Sequence, residues 1–164
     1  MPFTPFHLGP ALLMSLPLRG RVHVPTLLLG SVVPDIEPLA ILLLDLDLPL
    51  HWYLHSFLPA ALAGLTLGYL TYLMEPALGK LYGRLLKPRE LGLRSFLIAG
   101  TLGTLSHVVL DAPLYPEMRP LYPLPSNPFY DPSLSWGITS LCLISAILGL
   151  AYCAILLVRG SQQE

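Results

Sequence analysis

The stretch Ser106-His107-Val108-Val109-Leu110-Asp111 sets a histidine and an aspartate four residues apart at the end of an apolar run. On a helix that step puts both side chains on one face, about 6 Å apart along the axis. No other ionisable group occurs between Phe96 and Leu110, so the pair is read as lying in hydrocarbon or protein interior, where an aspartate alone costs about 2.5 to 3.5 kcal/mol. A metal ion would compensate it. Imidazole and carboxylate together suit zinc first, with manganese and iron as alternatives, and three or four such ligands with an open position make a hydrolytic site.

Other ionisable groups lie in or beside apolar segments: His7, Asp35, Glu37, His51 and His55. Asp35 and Glu37 fall within Gly30-Ser31-Val32-Val33-Pro34-Asp35-Ile36-Glu37-Pro38. Residues before proline resist the α conformation, so Val33 and Glu37 are expected to be extended and the helix to break there. Irregular backbone at membrane depth is tolerated only where protein or water covers it, which points both carboxylates at a cavity. His51 and His55 share the four-residue step, although His51-Trp52-Tyr53 also fits an interfacial aromatic cluster.

The elements that must hold these groups are membrane spans. With 54% hydrophobic and 12% charged residues and a mean hydropathy of +0.65, the chain of 164 residues reads as one integral membrane domain. A net charge of -1 offers no basic face for nucleic acid. The fold class expected is an all-α polytopic bundle of four to five transmembrane segments with a broken second segment. Residues 3 to 17 carry three prolines and form a short, broken or interfacial first segment. They carry no basic leader or cleavage site and are read as part of the folded chain. Spans follow at about 22 to 44, 57 to 74, 95 to 111 and 134 to 158. Ser56, Ala60, Gly64 and Gly68 make a small-residue seam on the third span, and Gly100, Thr104, His107 and Asp111 run along the fourth. Cys142 and Cys153, eleven residues apart on one helix, are about 16 Å from each other and cannot bridge.

Orientation follows from charge. Residues 75 to 94 carry Lys80, Arg84, Lys87, Arg89 and Arg94, read as a cytoplasmic loop whose charge Glu75 and Glu90 balance. Alternation then puts residues 45 to 56 and the proline-rich 113 to 133 outside, with Arg119 the lone external cation. His51, His55 and Asp111 fall at outer ends of spans, and His7 joins them if the first segment crosses. Asp45 and Asp47 in the outer turn are read as solvated.

These pieces resemble the membrane-bound, metal-dependent hydrolases that include the LexA-regulated inner-membrane group. The resemblance rests on His7-Leu8-Gly9, Val33 to Pro38, His55-Ser56, Ser106 to Asp111 and the proline-rich Pro120 to Phe129, in that order over most of the first 130 residues. It implies His7, Asp35, His55, His107 and Asp111 as the metal or catalytic set, with Glu37 close by. One departure concerns His51: relatives place that histidine five residues before the His-Ser pair with arginine after it, whereas here it stands four before and Trp52 follows. His51 is therefore kept as an additional ligand candidate.

The function expected is hydrolysis of an ester or phosphoester of a lipid-like substrate at the outer face of a plasma or inner membrane. Glu37 or Asp35, whichever does not bind metal, would be the general base, and Arg119 would hold an anionic headgroup. The alternative is a non-enzymatic membrane protein, an ion carrier or a bundle stabilised by its polar cluster. The inner halves of the third and fourth spans read as free of ionisable groups, which favours a one-sided site over a path across the bilayer.

Overall fold

The computed structural model describes residues 5 to 86 and 91 to 161, and among these it holds α-helices, two short 3-10 turns and no β-strand. The helices are α1 (Pro5–Ser15), α2 (Val24–Gly30), α3 (Ile36–Leu43), α4 (Phe57–Leu86), α5 (Leu93–Asp111) and α6 (Ser135–Ser161), with 3-10 turns at Val33–Asp35 and Pro132–Leu134. Four stretches are long and apolar enough to cross a membrane: Val24–Leu43, Phe57–Gly79, Leu93–Asp111 and Pro132–Ile155. At 11 residues α1 is not among them, since about 16 Å of helix falls short of a hydrocarbon core of about 30 Å. It stays unbroken despite Pro10.

The break in the second segment takes a different form from the one expected. Val33 enters a 3-10 turn and Glu37 lies in the first turn of α3, so neither is extended. Pro34 and Pro38 each occupy an early helical position, where the missing N–H would have had no partner anyway. The chain therefore bends without leaving helical backbone. At the far end, Asp45 at φ 50 and the bond from Leu46 N to Ile41 O (3.0 Å) close α3.

Helix α4 runs well past the expected span end. Residues 75 to 86 are helical instead of forming a loop, and Glu75 lies inside the candidate span beside a buried His23, 3.3 Å from its Nε2. Lys87, Arg89 and Glu90 lie outside the described residues. The expectation that the inner half of the third span is free of ionisable groups is thus corrected, because the span extends past Glu75. His23 donates to Thr26 (2.7 Å), whose hydroxyl donates to Thr71 (2.8 Å), linking α2 to α4.

The bundle is organised on α5. Helix α4 packs along it, α2 packs on it beside α4, and α6 is joined to the rest chiefly through α1. Glycine makes these approaches possible. A Cβ on Gly100 would strike the Gly64 carbonyl oxygen, and one on Gly30 would come 2.8 Å from the Gly100 carbonyl oxygen. Backbones this close gain dispersion and carbonyl contacts that larger residues would forbid. Outward-facing positions of α6, among them Ile144, Ile147 and Leu150, are exposed and apolar, as a lipid-facing surface requires.

Candidate metal centre

Four chain segments converge at one end of α5. His107 and Asp111 come from α5, His55 from the residues just before α4, and Asp35 from the 3-10 turn. One ligand atom from each of Asp35, His55, His107 and Asp111 lies within 4.8 Å of every other. His107 Nε2 stands 3.3 Å from Asp111 Oδ2 and 3.5 Å from Asp35 Oδ1, and His55 Nε2 is 4.0 Å from Asp111 Oδ2. His7 approaches from α1, with Nε2 3.3 Å from Asp111 Oδ1 and its ring stacked on His107 at 3.9 Å.

The histidines are held by their outer nitrogens. His107 Nδ1 donates to the Ser31 carbonyl at 2.8 Å, and His55 Nδ1 donates to Glu37 Oε2 at 3.1 Å. Each bond places the ring hydrogen on Nδ1 and leaves the Nε2 lone pair facing the cluster, as metal-ligating histidines require. The Ser31 contact depends on the glycine seam, since Gly30 packs on Gly103 of α5 one residue before it. Asp35, though at the N-cap of α3, caps no amide with its side chain. Its carboxylate is free to turn to His107.

Glu37 occupies a different place. Its Oε1 accepts from Tyr53 N (2.7 Å) and Leu54 N, and its Oε2 from Trp52 N (3.1 Å), Leu54 N and His55 Nδ1. Both oxygens are committed to the loop that carries His55. His51 is likewise outside the four-residue cluster: its Nδ1 donates to Glu117 Oε1 at 2.9 Å, its ring stacks on Tyr115 at 3.6 Å, and it meets His55 edge-on at 4.8 Å. Arg119 is exposed on the connecting loop, and its side chain makes no hydrogen bond or ion pair among the described residues. Asp45 and Asp47 are exposed.

Sequence reasoning did not pick out Tyr115 or Glu117, which sit in a loop rich in proline. Burial, with the nearby carboxylates of Asp111, Asp35 and Glu117, pushes the Tyr115 phenol up, so it remains a neutral hydroxyl beside the cluster. Burial pulls the His55 imidazole down and favours its neutral form, against the hydrogen bond it donates to Glu37.

The donor set fits a divalent ion. Ligand bonds of 2.0 to 2.1 Å in a tetrahedron separate donors by about 3.4 Å; the 3.3 and 3.5 Å contacts of His107 match this, and the wider separations, 4.0 Å from His55 to Asp111 and up to 4.8 Å overall, would close on an ion. With both imidazoles neutral, as ligation would require, the two carboxylates carry two negative charges, which a divalent ion would neutralise. His7, Asp35, His55, His107 and Asp111 each leave at least one buried side-chain nitrogen or oxygen without a hydrogen bond. Such atoms cost about 1 to 3 kcal/mol each when unsatisfied, and the four residues whose donors lie within 4.8 Å of one another could share one partner.

Fold and site together define an all-helical integral membrane protein with a buried histidine-aspartate cluster at one end of its bundle. The YdjM inner membrane protein family matches residues 4 to 163, and the chain belongs to that family. No curated protein and no solved structure matches it.

Proposed function

We propose that the cluster binds one divalent transition metal, zinc by preference, and hydrolyses an ester or phosphoester of a membrane amphiphile. The observation that carries this reading is the convergence of Asp35, His55, His107 and Asp111 within 4.8 Å, each with a buried side-chain atom that lacks a hydrogen bond. Those four residues would hold the ion, with His7 as a fifth donor beside Asp111. When bound, it would polarise the substrate and bring a water's pKa toward neutrality. Glu37 then serves as a positioning residue that orients His55, in place of the general-base role expected from sequence. Ser31 does the same for His107 through its carbonyl. Asp35, whose side chain is 17% exposed, stands on the open side of the cluster.

Depth supports a lipid-like substrate. His7 lies two residues before Gly9, which packs against Cys142 and Ala146 of α6. Trp136, 85% exposed, marks the interfacial level on the same helix, and six residues separate it from Cys142, about 9 Å. With Trp136 taken as the interfacial level, the cluster would lie beneath the headgroups, where a bilayer-resident ester could reach it sideways. Basic residues at the opposite end of α4 and α5 favour an extracytoplasmic site, and the exposed Arg119 would then be available to an anionic headgroup.

The second reading, an ion carrier, draws support from the His23–Glu75 pair at the other end of the bundle. Purified protein separates the two. The enzyme reading expects about one zinc per chain, lost in His107→Ala and Asp111→Ala, and hydrolysis of lipid esters in vesicles that falls with the metal. A chain without stoichiometric metal, with both variants unchanged in the hydrolysis screen, ends the enzyme reading. Proton or cation flux in liposomes that requires both His23 and His107 would replace it with the carrier.

A further inference from the structure

The connection between α5 and α6 is rich in proline and poor in charge. From Pro120 to Tyr130 it contains no Asp, Glu, Lys, Arg or His. Leu121, Tyr122, Leu124, Phe129 and Tyr130 within it are nevertheless exposed, Leu124 by 55%. Single exposed apolar side chains are ordinary, but a run of them without an intervening charge marks an interaction surface. Where the backbone holds these five decides what they meet.

Hydrogen bonds tie the loop to the ends of the membrane-crossing helices. Phe57 N, at the first residue of α4, donates to Pro120 O at 2.9 Å, and Asp131 N donates at 3.0 Å to Pro113 O, two residues beyond α5. Asn127 Nδ2 donates to Ala112 O (2.7 Å) and Tyr115 O (2.9 Å). The Phe129 ring meets Phe57 edge-on, with centroids 6.1 Å apart. Between these ties the chain folds back: Tyr122 N donates to Arg119 O and Leu124 N to Leu121 O, each at 3.0 Å, and such turns keep their ends within about 7 Å. The loop therefore lies across the ends of α4 and α5 and does not extend away from them. Phe57 and Pro132 each begin a candidate span and Asp111 ends one. That level is the headgroup layer, about 5 to 7 Å thick on each side of the hydrocarbon, where aromatic rings with a polar edge collect.

We propose that residues 120 to 130 form a membrane-docking surface, with Leu121, Tyr122, Leu124, Phe129 and Tyr130 seated among the headgroups and upper acyl chains of the adjacent leaflet. The bilayer is the occupant because the patch is continuous with span ends that already lie in it, and because Phe129 packs on the first residue of one span. A loop that residue order places simply outside the membrane thus becomes part of the lipid contact. The proposal needs only the spans and stands whether or not the cluster binds metal.

The test uses full-length protein in phosphatidylcholine nanodiscs, carrying Trp52→Phe and Trp136→Phe with a single reporter at Leu124→Trp. All three side chains are exposed, so none of these changes empties the core. Phosphatidylcholine brominated in the upper part of its acyl chains should lower the reporter's fluorescence roughly twofold relative to unbrominated lipid, as for a ring at headgroup level. Aqueous iodide should quench it less than it quenches free N-acetyltryptophanamide. Tyr130→Trp in the same background should behave alike, and it decides the question if Leu124→Trp does not reconstitute. Absence of quenching by the brominated lipid overturns the proposal. Strong iodide quenching in that case puts the loop in water, and protection from both quenchers means that a second copy or another protein covers it.

Discussion

Replacing Glu37 with glutamine tests the proposed architecture at a residue that touches no metal. The carboxylate takes five N–H contacts on two oxygens, from Trp52, Tyr53, Leu54 (which reaches both) and His55, at 2.7 to 3.1 Å. An amide has one oxygen. If its NH2 takes the Oε1 place, the Tyr53 N–H faces a donor. If it takes the Oε2 place, Trp52 N–H and His55 Nδ1–H both do, and His55 is driven to the tautomer that withdraws Nε2 from the cluster. One or two donors are left unpaired in either pose, at about 1 to 3 kcal/mol each. Part of that cost falls on the loop in the metal-free protein as well, and the part specific to ligation is the loss typical of orienting residues. We therefore expect Glu37→Gln to weaken zinc binding by about 10 to 100-fold, equivalent to about 1.4 to 2.8 kcal/mol. Competitive titration against a fluorescent chelator measures it, with circular dichroism to establish that the helices persist. A folded variant binding zinc within twofold of the native chain would refute the claim that Glu37 orients a ligand.

Two further perturbations address the fold and the protonation of the site. Gly100→Ala places a methyl group against the Gly64 carbonyl, so α4 and α5 must separate. A loss of about 1 to 3 kcal/mol is expected, seen as a lower melting temperature in detergent; an unchanged melting curve would mean the helices do not meet as described. Burial holds His55 below its ordinary value of 6.5. The unfolded chain then takes up the proton first, so the stability His55 contributes to metal-free protein is complete above pH 6.5 and is lost as pH falls through the lowered folded value. The native protein should accordingly lose more stability than His55→Gln between pH 7.5 and 5.5, and a His55→Gln variant that loses as much or more would reverse the sign.

Most of the architecture is legible in residue order, because hydropathy, proline and glycine act locally. Spans near 57, 95 and 134, the bend at Val33 to Pro38, and the small-residue seams follow from transfer energy and from what fits between backbones. The ends of elements were less legible. Helix α4 continues through residues 75 to 86 because charged residues are as compatible with helix as apolar ones, so a drop in hydropathy marks the edge of a membrane and not the end of a helix. Prolines at 34 and 38 were read as breakers, yet at the start of a helical turn proline removes no bond that would otherwise form.

The donor residues follow the same division. Histidines and carboxylates placed in apolar surroundings are visible to anyone reading the chain, since their cost is a property of the residue and its neighbours. Their division into roles is not. Asp35 and Glu37 are two residues apart and chemically alike, but one turns to His107 while the other binds the loop of residues 52 to 55, and only the 3-10 turn decides which. Likewise His51 and His55 share a four-residue step, yet Glu117, 66 residues away from His51, separates them by capturing one. The pairing of His23 with Glu75 likewise joins residues that lie far apart in the chain. Composition and order thus determined a helical membrane protein with a costly polar cluster. Which side chain meets which depended on contacts between residues distant in the chain, and those exist only once α2 and α4 have closed on the glycines of α5.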